Sequence, residues 1–227
     1  MNFNALVSTI QVELNDYSAR TKANIEKWAN QGHKNICQMR NWNFLNVRKS
    51  DEMTFGSADI PIDITADIEL SSTVVPAQQI LAVYDVTDGN FDEVKQIQYE
   101  KLRDICQTDY SQDAPPLYWY FINDKEIEFF PELSADRVFQ FSFKKLISTY
   151  ASGATTALLI PDTYIDVLHE YVLMRAYRFK SDDRTVACEA SYKEMLAAMI
   201  KSESNKIGVI PERSGNQQGI FPMLVEV

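Results

Sequence analysis

The sequence contains few cysteines, glycines and prolines: three, seven and eight among 227 residues. The cysteines, Cys37, Cys106 and Cys188, are far apart and odd in number, which favours free thiols in a reducing compartment over a disulfide framework. Scarce glycine and proline exclude collagen-like and low-complexity structures. No apolar run reaches the roughly 18 residues of a transmembrane helix, and the first residues do not resemble a signal peptide.

The residues that usually carry catalysis or bind metals are equally scarce. The only histidines, His33 and His169, fall on separate predicted helices without a second ligand at metal-binding spacing, so we expect both on helix surfaces or at interfaces. Glycine-rich nucleotide motifs, nucleophile elbows and CxxC pairs do not occur. We therefore predict no enzyme and no catalytic, cofactor-binding or metal-binding residue.

One aromatic cluster, Tyr118-Trp119-Tyr120-Phe121, allows two interpretations. Aromatic rings on a strand can stack on nucleic-acid bases, but such platforms lie in basic surroundings. Here the surroundings are acidic, which favours a strand core or a subunit interface.

The composition is that of a soluble globular chain, with 45% hydrophobic and 24% charged residues and a net charge of −10. The charge is uneven: residues 1–50 carry a net +4, residues 51–150 a net −12 and residues 151–227 a net −2. Proteins that wrap DNA through its phosphates are normally basic, so this role is disfavoured. The acidic middle indicates a distinct unit.

Helical periodicity appears at both ends of the chain. Two apolar stripes, 3–17 and 25–39, predict an antiparallel helix pair, with Asn15, Asp16 and Ser18 between them. Gly32 lies within the second stripe, where it permits close approach of a neighbour. After Pro161-Asp162, two further stripes predict a second helix pair.

The middle, residues 47–150, changes to the alternating pattern of strands. Residues 60–64, 80–86, 91–99 and 138–143 are strand candidates, and residues 117–122 and 126–130 predict a hairpin that Pro131 ends. Asp88-Gly89 is typical of a two-residue hairpin loop. We expect five to seven antiparallel strands, with a short helix or turn near residues 100–106.

The predicted fold is α+β: a four-helix bundle from residues 1–46 and 151–205, an antiparallel β insertion at 47–150, and an extended C-terminal arm at 206–227. The arm loses helical period but stays apolar, which is unusual for a solvated tail. We predict that it orders on a partner or a neighbouring subunit through Ile207, Val209, Ile210, Ile220, Phe221, Met223, Leu224 and Val225. The alternative is that the arm packs back on its own domain.

This order of elements resembles the head-to-tail adaptor (connector) proteins of tailed bacteriophages. The resemblance rests on three stretches taken in order: residues 25–45, residues 115–143 with their proline-flanked aromatic strands, and residues 160–196, which are similar to the family's final helix pair. It covers about residues 3–203.

The resemblance implies a structural virion protein at the head–tail junction, made in the host cytoplasm. Such adaptors dock as a ring, commonly of twelve copies, beneath the portal protein, extend the DNA channel and provide a docking surface for tail or stopper proteins. Because adaptor termini often make the portal contact, the resemblance assigns the arm to the portal or a neighbouring subunit. DNA would pass through without sequence-specific binding, and no membrane is involved. Two alternatives stay open: a tail-tube or tail-completion protein, and a small cytosolic ligand-binding protein or enzyme.

Overall fold

The computed structural model describes residues 1–70, 73–105 and 114–207. Its helices are α1 (Phe3–Leu14), α2 (Ala19–Gln38), α3 (Tyr99–Ile105), α4 (Ile165–Lys180) and α5 (Arg184–Ile207). Its strands are β1 (Asn46–Val47), β2 (Met53–Phe55), β3 (Ile62–Asp63), β4 (Ala77–Asp85), β5 (Asp92–Gln96), β6 (Tyr118–Phe121), β7 (Glu126–Phe130) and β8 (Arg137–Lys145). Across these described ranges, no helix is long and apolar enough to cross a membrane.

The helix ends follow from local capping chemistry. Asn2 and Ser18 begin α1 and α2, and their side chains accept hydrogen bonds from the backbone of Ala5 and Thr21. Asn15 ends α1 in the left-handed conformation, with a φ of 47°. The predicted stripe extends to Tyr17, but α1 stops at Leu14 and Tyr17 is exposed. The helix pair itself is confirmed.

The helices do not form the predicted four-helix bundle, and that part of the fold prediction is wrong. Helix α4 lies centrally, packed against α1, α2 and α5, whereas α5 packs mainly on α4. The reason is the distribution of apolar residues. Nine side chains of α4 are buried, including Val167, Leu173 and Met174 off the predicted stripe, whereas α5 buries Met199 and Glu203 among its described side chains.

Gly32 sets the distance between α2 and α4. A Cβ atom at this position would lie 2.4 Å from Cδ1 of Tyr171 and 2.8 Å from Cδ1 of Leu168. A methyl group does not fit at these distances without moving α4 side chains. The close approach predicted from Gly32 is therefore confirmed.

The β unit is an eight-stranded mixed sheet, so the predicted purely antiparallel insertion is also wrong. The strand order is β1-β8-β4-β5-β6-β7-β3, and β2 pairs with another part of β8. All pairs are antiparallel except β5 with β6, where Lys95 faces Tyr118. The segment between these strands contains α3, and this crossover returns the chain to run parallel to β5.

The hairpin β6–β7 is confirmed and ends before Pro131. The hairpin β4–β5 is also present, with Gly89 at a φ of 75°, but residues 86–91 connect its strands rather than two residues.

The sheet curls around its own core. The amide of Ala77, at the start of β4, donates a hydrogen bond to the carbonyl of Ile64, just after β3 (2.9 Å). This contact brings the two sides of the sheet together. Phe139 and Phe129 stack inside, with ring centroids 4.4 Å apart, beside Trp119.

A connection after β8 joins the sheet to the helices. The side chain of Asn30 on α2 makes two hydrogen bonds to the backbone of Tyr150. Its Oδ1 accepts from the Tyr150 amide (2.7 Å), and its Nδ2 donates to the Tyr150 carbonyl (3.0 Å). The Tyr150 ring stacks on Phe3 with centroids 5.2 Å apart. These contacts fix the point at which the chain re-enters the helical layer.

Candidate interaction surfaces

The packed helices form a layer with two different ends. The turns 15–18 and 181–183 lie together, because Lys180 Nζ is 3.3 Å from Asp16 Oδ2 and the Arg20 guanidinium is 5.9 Å from the Phe179 ring centre. We call this end the turn pole. The sheet joins the helices at the other end, the sheet pole, where α2 ends and α4 begins. Helix α5 runs from the turn pole to the sheet pole over 24 residues, or about 36 Å.

Charged contacts order both turns of the turn pole. Hydrogen bonds from the Thr21 hydroxyl and the Ser18 backbone hold the pKa of Asp16 well below its ordinary value. In the second turn, Arg184 donates to Asp182, which lowers the pKa of that carboxyl to about 2. Both carboxylates therefore stay ionised at neutral pH.

The turn pole also exposes large apolar side chains beside these charges. Tyr17 is 66% exposed and Phe179 is 57% exposed, and Phe179 lies between Arg20 and Trp28. Val12 and Val186 are exposed on the adjoining turns of α1 and α5. Aromatic and arginine side chains together are typical of protein–protein contacts.

A second surface is the solvent face of α2, which carries basic charge alone. Arg20, Lys27 and Lys34 recur every seven residues, so they lie in one row, and all three are exposed. We call this row the α2 stripe. The one acidic residue of α2, Glu26, is only half-buried and contacts Lys22 and Ser152 instead. The stripe was not predicted, although the seven-residue spacing of its basic residues is visible in the sequence.

The third surface is a groove of about 610 Å³ in the β unit, which we call the acidic groove. Four exposed carboxylates line it and no basic residue does: Glu52, Asp59, Asp67 and Glu69. They come from separate segments, so no local sequence pattern indicates the groove. No group of three or more His, Cys, Asp or Glu side chains in the described ranges is placed to hold a metal ion.

The predicted arm residues cannot all be placed. Ile207 is the last residue of α5, so the helix extends beyond the predicted boundary at residue 205. Val209, Ile210, Ile220, Phe221, Met223, Leu224 and Val225 lie outside the described residues. The described chain therefore leads towards the arm at the sheet pole.

The two histidines lie where elements pack together. His33 is not on the helix surface but fully buried between α2 and the segment after β8, and burial lowers its pKa to about 4. Its ring meets the edge of Tyr150 at 5.0 Å and lies near Cys37, whose thiol pKa burial raises to about 12. His169 Nε2 lies 3.0 Å from Glu13 Oε1 between α4 and α1. Cys188 is a free thiol, and Cys106 lies outside the described residues.

The aromatic cluster belongs to the strand core. Trp119 and Tyr120 on β6 are buried, and the Tyr120 hydroxyl donates to Glu128 at 2.6 Å. Rings in this position do not present a face to nucleic-acid bases, so the strand-core interpretation is correct.

The sequence matches the family model described as SU10 adaptor protein over residues 1–214. The chain belongs to the SU10 adaptor protein family. The match confirms the resemblance to phage adaptors of the head–tail type and identifies a virion component that contacts other virion proteins. It favours a structural role over an enzymatic one, and an adaptor over a tail tube. No curated protein matches the chain significantly.

Proposed function

We propose that copies of this adaptor dock as a ring, with twelve copies as the expected number, beneath the portal protein. The ring extends the DNA channel and presents a docking surface to the next tail or stopper protein. The observation that carries the proposal is the family match over residues 1–214, which includes both helix pairs, the sheet and the beginning of the arm.

The two poles suit a protein that joins two partners. The arm leaves α5 at the sheet pole, and the exposed Tyr17 and Phe179 lie at the turn pole, about one α5 length away. A component between the portal and the tail needs two separate contact surfaces. We assign the arm to the portal or a neighbouring subunit and the turn pole to the next component.

The arm has the chemistry of a segment that binds a partner. Between residues 206 and 227 it carries nine large apolar side chains and four charged ones. Apolar surface left in water costs roughly 25 cal/mol per Å². Segments such as Phe221-Pro222-Met223-Leu224-Val225 can add to a partner as extended strands, with main-chain hydrogen bonds supplying affinity.

The net charge of −10 agrees with a channel through which DNA slides, since acidic walls repel phosphates. The same charge makes identical copies repel one another in solution. We therefore expect the free chain to be largely monomeric at micromolar concentration and to form its ring only on the portal. Light scattering of the free chain in moderate salt checks this expectation.

The decisive experiment removes the arm. Truncation after Ile207 leaves α5 intact, so the shortened chain should stay soluble and unfold at nearly the same temperature as the full chain. It should lose binding to a purified portal ring, measured by co-sedimentation and by imaging of the complex. A truncated chain that binds the portal as tightly as the full chain contradicts the role of the arm.

A matched pair of full-length variants separates apolar contact from chain length. Replacing Phe221, Leu224 and Val225 by serine should abolish portal binding, whereas replacing Gln217 and Gln218 by serine should not. If instead the truncated chain aggregates, the arm belongs to the folded core and the portal assignment fails.

A further inference from the structure

The α2 stripe is exposed basic surface on an acidic protein. Among the described residues, neither Lys27 nor Lys34 has a carboxylate within 4 Å, and Arg20 contacts only the Phe179 ring. Each residue of the stripe is about 10.5 Å from the next along the helix axis. The neighbours on the same face, Ala23 and Gln31, are uncharged. The stripe is therefore a row of separated cations with no carboxylate partner within the described fold.

The acidic groove is the matching surface on the same chain. Glu52, Asp67 and Glu69 are exposed around a concavity that no lysine, arginine or histidine lines. The carboxylates are not grouped as metal ligands, so the groove is better suited to several separate ammonium or guanidinium groups than to one ion. Long lysine and arginine side chains reach into such a concavity while the helix stays outside it.

We propose that the α2 stripe of one copy binds the acidic groove of the next copy in the ring. This assignment of the subunit contact rests on the ring proposed above. The two surfaces differ, so the contact is head-to-tail, and contacts of this type close into rings when the rotation between copies permits. Charge complementarity sets the orientation of neighbouring copies and opposes wrong pairings.

The contact also explains how an acidic ring protein can carry a basic helix face. Placed between copies, the stripe is withdrawn from the channel, where it would hold DNA phosphates. The same contact places basic groups against acidic ones at each subunit boundary and so reduces the repulsion between copies. The competing occupant of the stripe is DNA itself.

Two charge-reversal variants test the contact in solution without a portal. The helix variant carries Arg20→Glu, Lys27→Glu and Lys34→Glu, and the groove variant carries Glu52→Lys, Asp67→Lys and Glu69→Lys. Each variant alone brings like charges together at the contact. Mixed in equal amounts, every helix again meets a groove of opposite charge. Sedimentation velocity at low ionic strength, where screening is weakest, measures the association at protein concentrations well above the micromolar range, with the wild-type chain as the reference.

We expect each variant alone to be monomeric and the mixture to associate at least about tenfold more tightly, because three exposed ion pairs are restored. A control variant combines Arg178→Glu, Lys193→Glu and Lys201→Glu with the three groove changes, so its net charge of −10 lies between those of the helix variant, −16, and the groove variant, −4. It presents a basic stripe and a basic groove, so it should not associate with the groove variant.

Equal association of the control and helix variants with the groove variant means that overall charge drives the effect, and this overturns the proposal. So does a mixture that stays monomeric. If the stripe binds DNA instead, the helix variant loses retardation of a double-stranded fragment while the mixture shows no association. If the mixture associates but wild-type chain forms no ring on the portal, the proposed function fails and the copy-to-copy contact stands.

Discussion

The helices and the sheet of this protein each enclose an apolar core, but they differ in charge and in the range of the contacts that build the core. The helical core combines two hairpins of sequence neighbours, α1 with α2 and α4 with α5, with the packing of α2 on the distant α4. The sheet core depends on distant pairs, such as Asn46 with Lys144 and Ile62 with Ile127. Long-range pairing costs more loop-closure entropy, so the sheet is the more demanding part of the fold to form.

The two regions also meet through few connections. Residues 46–47 enter the sheet, and the segment after β8 leaves it, held to α2 by the Asn30–Tyr150 hydrogen bonds. We therefore propose that the helices and the sheet are separate folding units, as the predicted domain boundaries at residues 47 and 150 imply.

The largest effect is expected from Phe139→Ala in the sheet core. Phe139 is fully buried and stacked on Phe129, so its removal should lower the free energy of unfolding of the sheet by about 3–5 kcal/mol. Tryptophans report the two regions separately: Trp119 lies in the sheet, and Trp28 and Trp42 lie in the helices. Trp119→Phe leaves the helical reporters, and Trp28→Phe with Trp42→Phe leaves the sheet reporter.

We expect Phe139→Ala to move the denaturant transition of the sheet reporter and to leave that of the helical reporters nearly unchanged. Leu168→Ala on α4 is the mirror control, since Leu168 is fully buried in the helical core. It should move the helical transition instead. Transitions that shift together in both variants would show one cooperative unit.

The same contrast explains what the sequence could predict. The stripe through Phe3, Leu6 and Ile10 and the hairpin β6–β7 are local patterns, and both were predicted correctly. The parallel pairing of β5 with β6 was missed because it depends on a crossover through residues 97–117, whose path no local pattern specifies. The central position of α4 had a signal: Val167 and Leu173 extend its apolar surface beyond one face.

The two charged surfaces also differ in how far they can be predicted from the sequence. The seven-residue spacing of Arg20, Lys27 and Lys34 is visible in the sequence once α2 is known to be a helix. The acidic groove is not visible, because Glu52 and Glu69 come together only when the sheet has formed. Residues that share one face of a helix follow a fixed spacing in the sequence, whereas residues that meet on a curled sheet come from distant segments.

A smaller effect is expected from His33, which lies where the helices receive the chain from the sheet. Its pKa of about 4 in the folded protein is below the ordinary 6.5, because burial disfavours the charged ring. Above pH 6.5 the ring is neutral in both states. Between pH 6.5 and 4 the unfolded chain holds a proton that the folded chain lacks. The free energy of unfolding therefore decreases as the pH is lowered, by about 3 kcal/mol in total.

Urea unfolding at a series of pH values should show this fall, and His33→Phe should reduce the slope of unfolding free energy against pH. The slope is the readout, so the test holds even if the variant is less stable throughout. Leu168→Ala, which lowers stability without removing a titratable group, is the control and should keep the wild-type slope in this window. Equal slopes in wild type and His33→Phe would show that His33 does not cause the fall.

The smallest effect is expected from Gly32→Ala, and the sign of the change in stability is the informative result. In an exposed helix, replacing glycine by alanine raises stability by about 1 kcal/mol. At Gly32 the new methyl group would meet Tyr171 and Leu168 on α4 at less than 3 Å, and overpacking of this kind costs about 1–3 kcal/mol. We expect a net loss of about 1 kcal/mol in thermal or urea unfolding, reported by the helical tryptophans.

Ala23→Gly, on the exposed face of α2, measures the propensity contribution in the same helix. A gain in stability for Gly32→Ala would mean that α4 moves away from α2 at little cost, and that Gly32 does not set their spacing.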